Sequence, residues 1–351
     1  MINSISIHGF KILEKIENLP LKKVTLISGK NNIGKTTILE ALFLYLDFNS
    51  PENFNRLFSW RKFSGTWEPK EIWSKFFYNS DLTKEITISV NFSNVEKVQV
   101  NIRFLEDYET SVQMPVTVNE ITTFRKNFPA LEIIRSFNNS IDYKAYILCY
   151  GSYFNYLKET DLLQGQPSIF FMGGAMMLYE RNAEYLGILD KAEEQEKILP
   201  LLRIFEPNLI RFQLINERGI NIIYADLGNK KKVPVNMFGE GFCRCLTMAL
   251  ILATKNADVF LIDEVGSGIH YSFQKNLWNF LIEASELYKC QIIATTHSYD
   301  TIKAFNNIIK NNGNVSDFSY IRLGKNKDGI KPNIFSADTL DYSLSSELEI
   351  R

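Results

Sequence analysis

The chain has 351 residues, 45% apolar and 13% aromatic, enough to bury one large core or two smaller ones. A balance of 39 basic against 40 acidic side chains leaves a net charge of −1, which excludes a global field drawing the molecule to nucleic acid and confines such contact to a local patch. No apolar run approaches the roughly 20 residues of a membrane helix, and Met1 to Phe10 lack the charged head and apolar core of a secretory signal, so a cytoplasmic protein without membrane contact is expected. The cysteines, Cys149, Cys243, Cys245 and Cys290, match neither a disulfide framework nor a CxxC metal knuckle and are expected to be reduced and packed.

Apolar and polar residues alternate from Ile2 to His8, and a second strand, Lys22 to Ser28, runs straight into Gly29. The following segment, Thr36 to Asp47, is apolar nearly all round (Ile38, Leu39, Ala41, Leu42, Leu44, Tyr45), as in a helix buried beside a sheet. From Asn49 to Leu202 the pattern turns irregular. Aromatic-rich loops at Phe54 to Trp67 lead to strand-like runs at Glu85 to Phe92 and Val98 to Phe104, and then to helices. Residues 49–202 therefore read as an α+β or helical insertion between the two parts of a main domain, 1–48 and 203–351. Strands resume at Leu209 to Ile215 and Ile220 to Ala225, a hairpin turning at Glu217-Arg218-Gly219. A helix (Gly241 to Lys255), strand (Val259 to Ile262), helix (Tyr271 to Leu287), strand (Gln291 to Ala294) and helix (Tyr299 to Ile309) complete an alternation that implies an α/β fold with a mixed, largely parallel sheet flanked by helices on both faces.

Gly29-Lys30-Asn31-Asn32-Ile33-Gly34-Lys35-Thr36 fits G-x-x-x-x-G-K-[ST], placed after a strand and before a helix as a phosphate loop must be. Terminal glycines let the backbone turn its N–H groups inward, and the helix start adds its positive dipole, so the loop cradles anionic phosphates. Lys35 then reaches the β- and γ-phosphates, and Thr36 offers a hydroxyl to Mg²⁺, which prefers hard oxygen ligands. The apolar strand Val259 to Ile262 ends in Asp263 and Glu264. Taken alone, such a pair is ordinarily an acidic strand end facing solvent. Downstream of a phosphate loop it reads as a metal-holding aspartate and a general-base glutamate. Another apolar strand finishes on Thr295-Thr296-His297-Ser298, which puts His297 at the same sheet edge, able to donate to a γ-phosphate or orient the attacking water. Asn326-Lys327-Asp328 lacks the spacing of a guanine-reading N-K-x-D string, so the nucleotide is expected to be ATP rather than GTP.

Met237-Phe238-Gly239-Glu240-Gly241-Phe242-Cys243-Arg244-Cys245-Leu246 forms a glycine-rich turn opening an apolar helix upstream of the carboxylate strand. The order of phosphate loop, long intervening segment, glycine-rich turn, carboxylate strand and histidine resembles the ABC/SMC superfamily. It is closer still to the small OLD-like AAA-family ATPases of anti-phage systems such as Septu, PARIS and retron modules. Three passages carry the resemblance: Gly29 to Thr37, Gly239-Glu240-Gly241-Phe242, and Gly268-Ile269-His270-Tyr271-Ser272 with Thr295-Thr296-His297-Ser298-Tyr299-Asp300. It implies a P-loop NTPase with an ABC-type head. It also implies a homodimer or higher even oligomer sandwiching ATP, with Gly239, Glu240 and Gly241 of one subunit facing the γ-phosphate held by Gly29 to Thr37 of the other. His270, at the end of the family's D-loop, is either an interface residue or a packed one. Relatives carry an acidic residue and an asparagine two and three positions after the glutamate, where this chain has Gly266 and Ser267, which implies altered metal binding or slow turnover.

Lys230-Lys231-Lys232 is either a nucleic-acid contact or a solvated edge that discourages strand pairing, and the second is the commoner. Phe54, Phe58, Trp60 and Trp67, with Arg56, Arg61 and Lys62 among them, either stack bases or pack the insertion or a partner interface, and without an excess of interleaved charge the packing role is the commoner. The stretch after His297 is too short for the Toprim nuclease that longer OLD proteins carry, so the output is expected to reside in an effector partner, a nuclease or toxin encoded nearby. The alternative reading is a DNA-repair or chromosome-maintenance ATPase similar to the SMC and RecF group.

Overall fold

The computed structural model describes residues 1–48, 50, 54, 56–57, 68–93, 95–117, 120–138, 140–150, 153–160, 167–173, 179–228, 232–255, 257–311, 315–327 and 329–346. In chain order the elements are β1 (Ile2–Phe10), β2 (Leu13–Pro20), β3 (Val24–Gly29), α1 (Lys35–Leu46), α2 (Pro69–Ser74), β4 (Glu85–Phe92), β5 (Val95–Thr117), β6 (Glu120–Phe137), β7 (Ser140–Tyr150), β8 (Tyr153–Lys158) and β9 (Ile169–Met172). There follow α3 (Tyr179–Lys191), α4 (Leu199–Arg203), β10 (Arg211–Glu217), β11 (Ile220–Asp226), β12 (Val233–Pro234), α5 (Glu240–Lys255), β13 (Val259–Ile262), α6 (Gln274–Leu287), β14 (Gln291–Thr295), α7 (Tyr299–Asn311), β15 (Phe318–Asn326), β16 (Gly329–Phe335) and α8 (Ala337–Ser345).

Every residue of β3, β13 and β14 is buried, as continuous apolar runs covered on both faces require. They form the middle of a six-stranded sheet of order β16-β15-β3-β14-β13-β9, in which only the β16–β15 pair is antiparallel. Their side chains divide with period two. Leu26, Phe260, Ile262, Ile292 and Ala294 point into a core shared with α5, α6 and α7, through residues such as Leu246, Trp278 and Phe305. Ile27, Leu261 and Ile293 point the other way, onto α1.

Helices thus cover both faces, as expected: α1 lies on the second, and behind α1 lies a seven-stranded antiparallel sheet of order β2-β1-β4-β5-β6-β7-β8. Ile38, Leu39, Leu42, Phe43, Leu44, Tyr45 and Leu46 are all buried in this sandwich, which is why the helix is apolar all round. Gln291 staples the two sheets: its Oε1 accepts from Ile2 N at 2.9 Å while its Nε2 donates to Ile2 O at 2.8 Å and Lys22 O at 2.9 Å.

Within 49–202, β4 pairs antiparallel with β1 and β9 pairs in parallel with β13, so strands of this segment belong to both sheets. After Phe104 the chain first continues as strands, with β5 and β6 forming one long hairpin ladder from Val98↔Phe137 to Thr117↔Glu120, and the expected helices come only afterwards, as α3 and α4. The β10–β11 hairpin forms as expected, turning through Arg218 and Gly219, both at positive φ. Phe54 is buried against Trp73 and Phe76. Phe58, Trp60, Arg61, Lys62, Trp67, Lys230, Lys231 and Asp328 lie outside the described residues. Cys243, Cys245 and Cys290 are free and buried. Among the described residues no helix is long and apolar enough to cross a membrane.

Candidate active site

The parallel ladder sets Ile27 opposite Thr295 and Ile262 opposite Ala294, so the turns after β3, β13 and β14 leave the sheet at one edge. Gly29 turns there with φ 142°, and a Cβ on it would lie 2.8 Å from the Leu323 carbonyl oxygen. Gly34, the cap of α1, has φ 97°, and its Cβ would lie 2.9 Å from Leu13 Cδ2. Both ends of the loop thus demand glycine for conformation and for space. A cavity of about 500 Å³ opens over the loop, lined by Asn31 to Thr37, Glu264, and Lys11 and Ile12 from the β1–β2 turn.

Lys35 is only 6% exposed. Its ammonium donates to Gly29 O at 2.9 Å and Lys30 O at 3.1 Å, folded back on the loop's own carbonyls. Burial lowers its pKa, against the opposing pull of Glu264 and Asp263. The Thr36 hydroxyl donates to both Asp263 oxygens, at 2.9 and 3.1 Å, and the Thr295 hydroxyl donates to Oδ1 at 2.6 Å. Burial raises the Asp263 pKa, and these two hydroxyl bonds oppose it. Glu264 sits in the left-handed region at φ 49°. Its N–H donates to Thr295 Oγ1 at 2.9 Å, and its Oε2 lies 2.7 Å from His297 Nδ1 and 3.3 Å from the His297 N–H. A carboxylate is acceptor-only, so Nδ1 carries the proton and donates.

The structure therefore brings Gly29, Lys30, Asn31, Asn32, Ile33, Gly34, Lys35, Thr36 and Thr37 together with Asp263, Glu264 and His297. It does not bring Gly239, Glu240 or Gly241 to this cavity. Glu240 and Gly241 open α5 and pack on the loop after β13: a Cβ on Gly241 would lie 3.2 Å from Ile269 Cγ1, and one on Gly268 would lie 2.7 Å from the Glu240 carboxyl carbon. Gly239 is exposed, and a Cβ there would meet nothing within 4 Å. His270 is exposed, its Nδ1 2.9 Å from Ser272 Oγ, beside Tyr271 at 68% exposure. At Gly266 a Cβ would lie 2.2 Å from Thr301 Oγ1, which bonds to Gln274, so the acidic side chain of the relatives has no room.

Three contributors were not singled out from the sequence. Thr295 grips Asp263 and Glu264, Lys11 is ion-paired to buried Glu40 at 2.8 Å while lining the cavity, and Arg244 donates to the backbone carbonyls of Asp263 and Glu264. A lone charge inside the apolar run Phe242 to Leu252 was the available signal for Arg244.

The donor set fits Mg²⁺ bound with a nucleotide. A hydroxyl and a carboxylate already 2.9 Å apart would supply hard oxygens of the kind this ion prefers. Among the described residues no cluster of three or more His, Cys, Asp or Glu side chains offers an all-protein cage.

The raised pKa of Asp263 carries a sign for stability. Its folded value exceeds the unfolded one, so the folded chain binds more protons between the two, and the cost of burying the carboxylate is present at neutral pH and lifts as pH falls through the raised value. Asp263→Asn is expected to raise the thermal midpoint of the ligand-free protein. Scanning calorimetry checks it, and a lowered midpoint would mean that the two hydroxyl bonds outweigh desolvation.

Comparison with known proteins accords with this geometry. Residues 24–302 match the family described as "AAA domain, putative AbiEii toxin, Type IV TA system". An "ATP/GTP phosphatase" of Helicobacter pylori is 24% identical across 99% of both chains. An uncharacterized protein of Methanocaldococcus jannaschii is 32% identical over 110 residues, covering 29% of this chain and 47% of its own. Among solved structures, an Smc head bound to the C-terminal winged-helix domain of ScpA superposes with a TM-score of 0.52 at 16% identity, covering 95% of this chain and 97% of that one. The α/β fold is that of ABC-type SMC heads.

Proposed function

The chain belongs to this AAA-domain family and is an ATPase of the P-loop class, and on that premise we propose that Gly29 to Thr37 bind Mg-ATP and that Glu264 is the general base of hydrolysis. The observation that carries the reading is the convergence, on one sheet edge, of Thr36 on Asp263 at 2.9 Å and of Glu264 on His297 at 2.7 Å. Lys35 leaves the loop carbonyls for the β- and γ-phosphate oxygens, a stronger set of acceptors for an ammonium. Thr36 and Asp263 would hold Mg²⁺, whose charge would neutralise the phosphate oxygens when bound. Glu264 takes the proton of the water that attacks the γ-phosphorus, giving ADP and phosphate, and His297 holds the carboxylate in line through Nδ1 while leaving Nε2 for the γ-phosphate or the water.

Two copies complete the site. The turn Gly239 to Gly241 is remote from its own cavity yet ends in a helix start suited to an anion. It is flanked by apolar side chains left in solvent, Met237 at 76%, Tyr271 at 68% and Phe273 at 45% exposure. A head-to-head dimer, or a higher even oligomer built from it, would cover them and set each turn against the other subunit's γ-phosphate.

The open space around Gly239 makes it the position of choice for a test, because a bulky side chain there projects into solvent in the single subunit, whereas one on Gly241 strikes Ile269. Gly239→Trp is expected to retain ATP binding and lose hydrolysis. Mixing it with Lys35→Ala should restore up to about a quarter of wild-type turnover at equal amounts, since half the dimers are mixed and each holds one intact site. Zero activity despite demonstrated subunit exchange would refute the shared site.

The ATPase controls an effector, a nuclease or toxin, in anti-phage defence. Support comes from the toxin–antitoxin description of the family and from the OLD-like passages. A gene for such an effector beside this one, and its co-purification with the ATPase, is the expected finding. A repair or chromosome-maintenance role like that of SMC and RecF proteins would show instead as ATP-dependent retention on DNA, for which a net charge of −1 gives no support.

A further inference from the structure

Helix α5 begins on the Gly239 to Gly241 turn and is buried from Phe242 to Leu252, with Arg244 inside that stretch at 2% exposure. A guanidinium so placed is tolerated only where its donors meet acceptors. Its Nη2 donates to two backbone carbonyls of the catalytic turn, Asp263 O at 3.1 Å and Glu264 O at 3.2 Å. The turn needs such support, because Glu264 occupies the left-handed region at φ 49°, where a glutamate is rarely stable unaided. From the β14 side, Thr295 holds the donors of the turn, taking Glu264 N–H on its hydroxyl and Val265 N–H on its carbonyl, both at 2.9 Å. From the α5 side, Arg244 holds acceptors. Glu240, on the exposed first turn of the same helix, stands one helical turn before Arg244.

We propose that Arg244 is a positioning residue for hydrolysis: it fixes the Asp263–Glu264 turn in its left-handed conformation and ties it rigidly to the helix that opens at Gly239 to Gly241. Arg244 does not line the nucleotide cavity, so its effect passes through Glu264 and not through contact with ATP. A displacement of the α5 start, such as engagement of a second subunit produces, moves the guanidinium and with it the direction of the Glu264 carboxylate. The geometry favours arginine over lysine, since both bonds leave Nη2, whose N–H groups are fixed in the guanidinium plane, where an ammonium on a flexible stem serves the two carbonyls less firmly. The inference rests on the reading of Glu264 as general base.

The test uses the full chain with Arg244→Met, Arg244→Lys and Glu264→Gln alone and in combination, measuring kcat, KM, binding of a fluorescent ATP analogue and the thermal midpoint. Arg244→Met is expected to lower kcat by about 30-fold or more with KM and analogue affinity within about threefold of wild type, and Arg244→Lys to recover part of the loss. In the Glu264→Gln background the same substitution should cost less than about threefold, because two residues acting through one group are not additive. An equal fold-loss in both backgrounds, or a loss confined to KM and affinity, overturns the positioning role while leaving the general base intact. Normal turnover of Glu264→Gln overturns both readings. If Arg244→Met does not fold, Arg244→Lys in the two backgrounds delivers the same comparison.

Discussion

Lys35→Ala is expected to weaken ATP binding by about 10²–10⁴-fold, from the loss of two charge-assisted hydrogen bonds at about 1.5–3 kcal/mol each. In the free protein the ammonium is already desolvated and already aimed at the loop, bonded to Gly29 O and Lys30 O, so little reorganisation separates it from phosphate oxygens in the cradle. Its removal has a second consequence. The Glu264 and Asp263 charges both act on Lys35, so the variant leaves the buried Asp263 carboxylate with one fewer cation nearby and a weaker hold on Mg²⁺. Titration with a fluorescent nucleotide in excess Mg²⁺ measures the effect, and a thermal midpoint near that of wild type separates a lost contact from a collapsed loop. Affinity within about twofold of wild type would remove the phosphate loop from the site.

The nucleotide edge was readable because local rules suffice there. A short, β-branched-rich apolar run reads as a strand covered on both faces, and Val24 to Ile27, Val259 to Ile262 and Ile292 to Ala294 are such runs. Each reactive residue lies within eight positions of the end of one of them, so reading the strand places Lys35, Asp263, Glu264 and His297. The antiparallel sheet resisted because its pairing is long-range and its pattern mixed. In Leu131-Glu132-Ile133-Ile134, apolar residues fall at spacings that suit a helix as well as a strand. Pro129 also interrupts β6, tolerated only because the ladder shifts register opposite it, between Leu105↔Ala130 and Tyr108↔Phe128. Strand β9 is four residues long and takes its place from β13, about ninety positions away. Arg244 and Thr295 act through backbone carbonyls and a hydroxyl at distances that no spacing rule encodes.

Glu264→Gln is expected to leave ATP binding within a few-fold of wild type while slowing hydrolysis about 10²–10⁴-fold, the range of a positioned general base. The substitution keeps the shape and the left-handed turn, because Thr295 and Arg244 grip the backbone and not the carboxylate. It also keeps an oxygen acceptor for the His297 N–H groups now 2.7 and 3.3 Å from Oε2. What it removes is the capacity to accept a proton from water. Single-turnover hydrolysis of γ-labelled ATP isolates that step from product release. Under the shared-site reading the slow variant has a further signature. ATP bound between two subunits stabilises the dimer by mass action for as long as it stays uncleaved, so sedimentation should show Glu264→Gln accumulating as a dimer on addition of Mg-ATP, at protein concentrations where wild type returns to its starting state as ATP is consumed. Slow hydrolysis without dimer accumulation would keep Glu264 as the base and discard the sandwich. Near-normal hydrolysis would transfer proton acceptance to another group, with His297, 60% exposed and already within 2.7 Å of this carboxylate, the next residue to substitute.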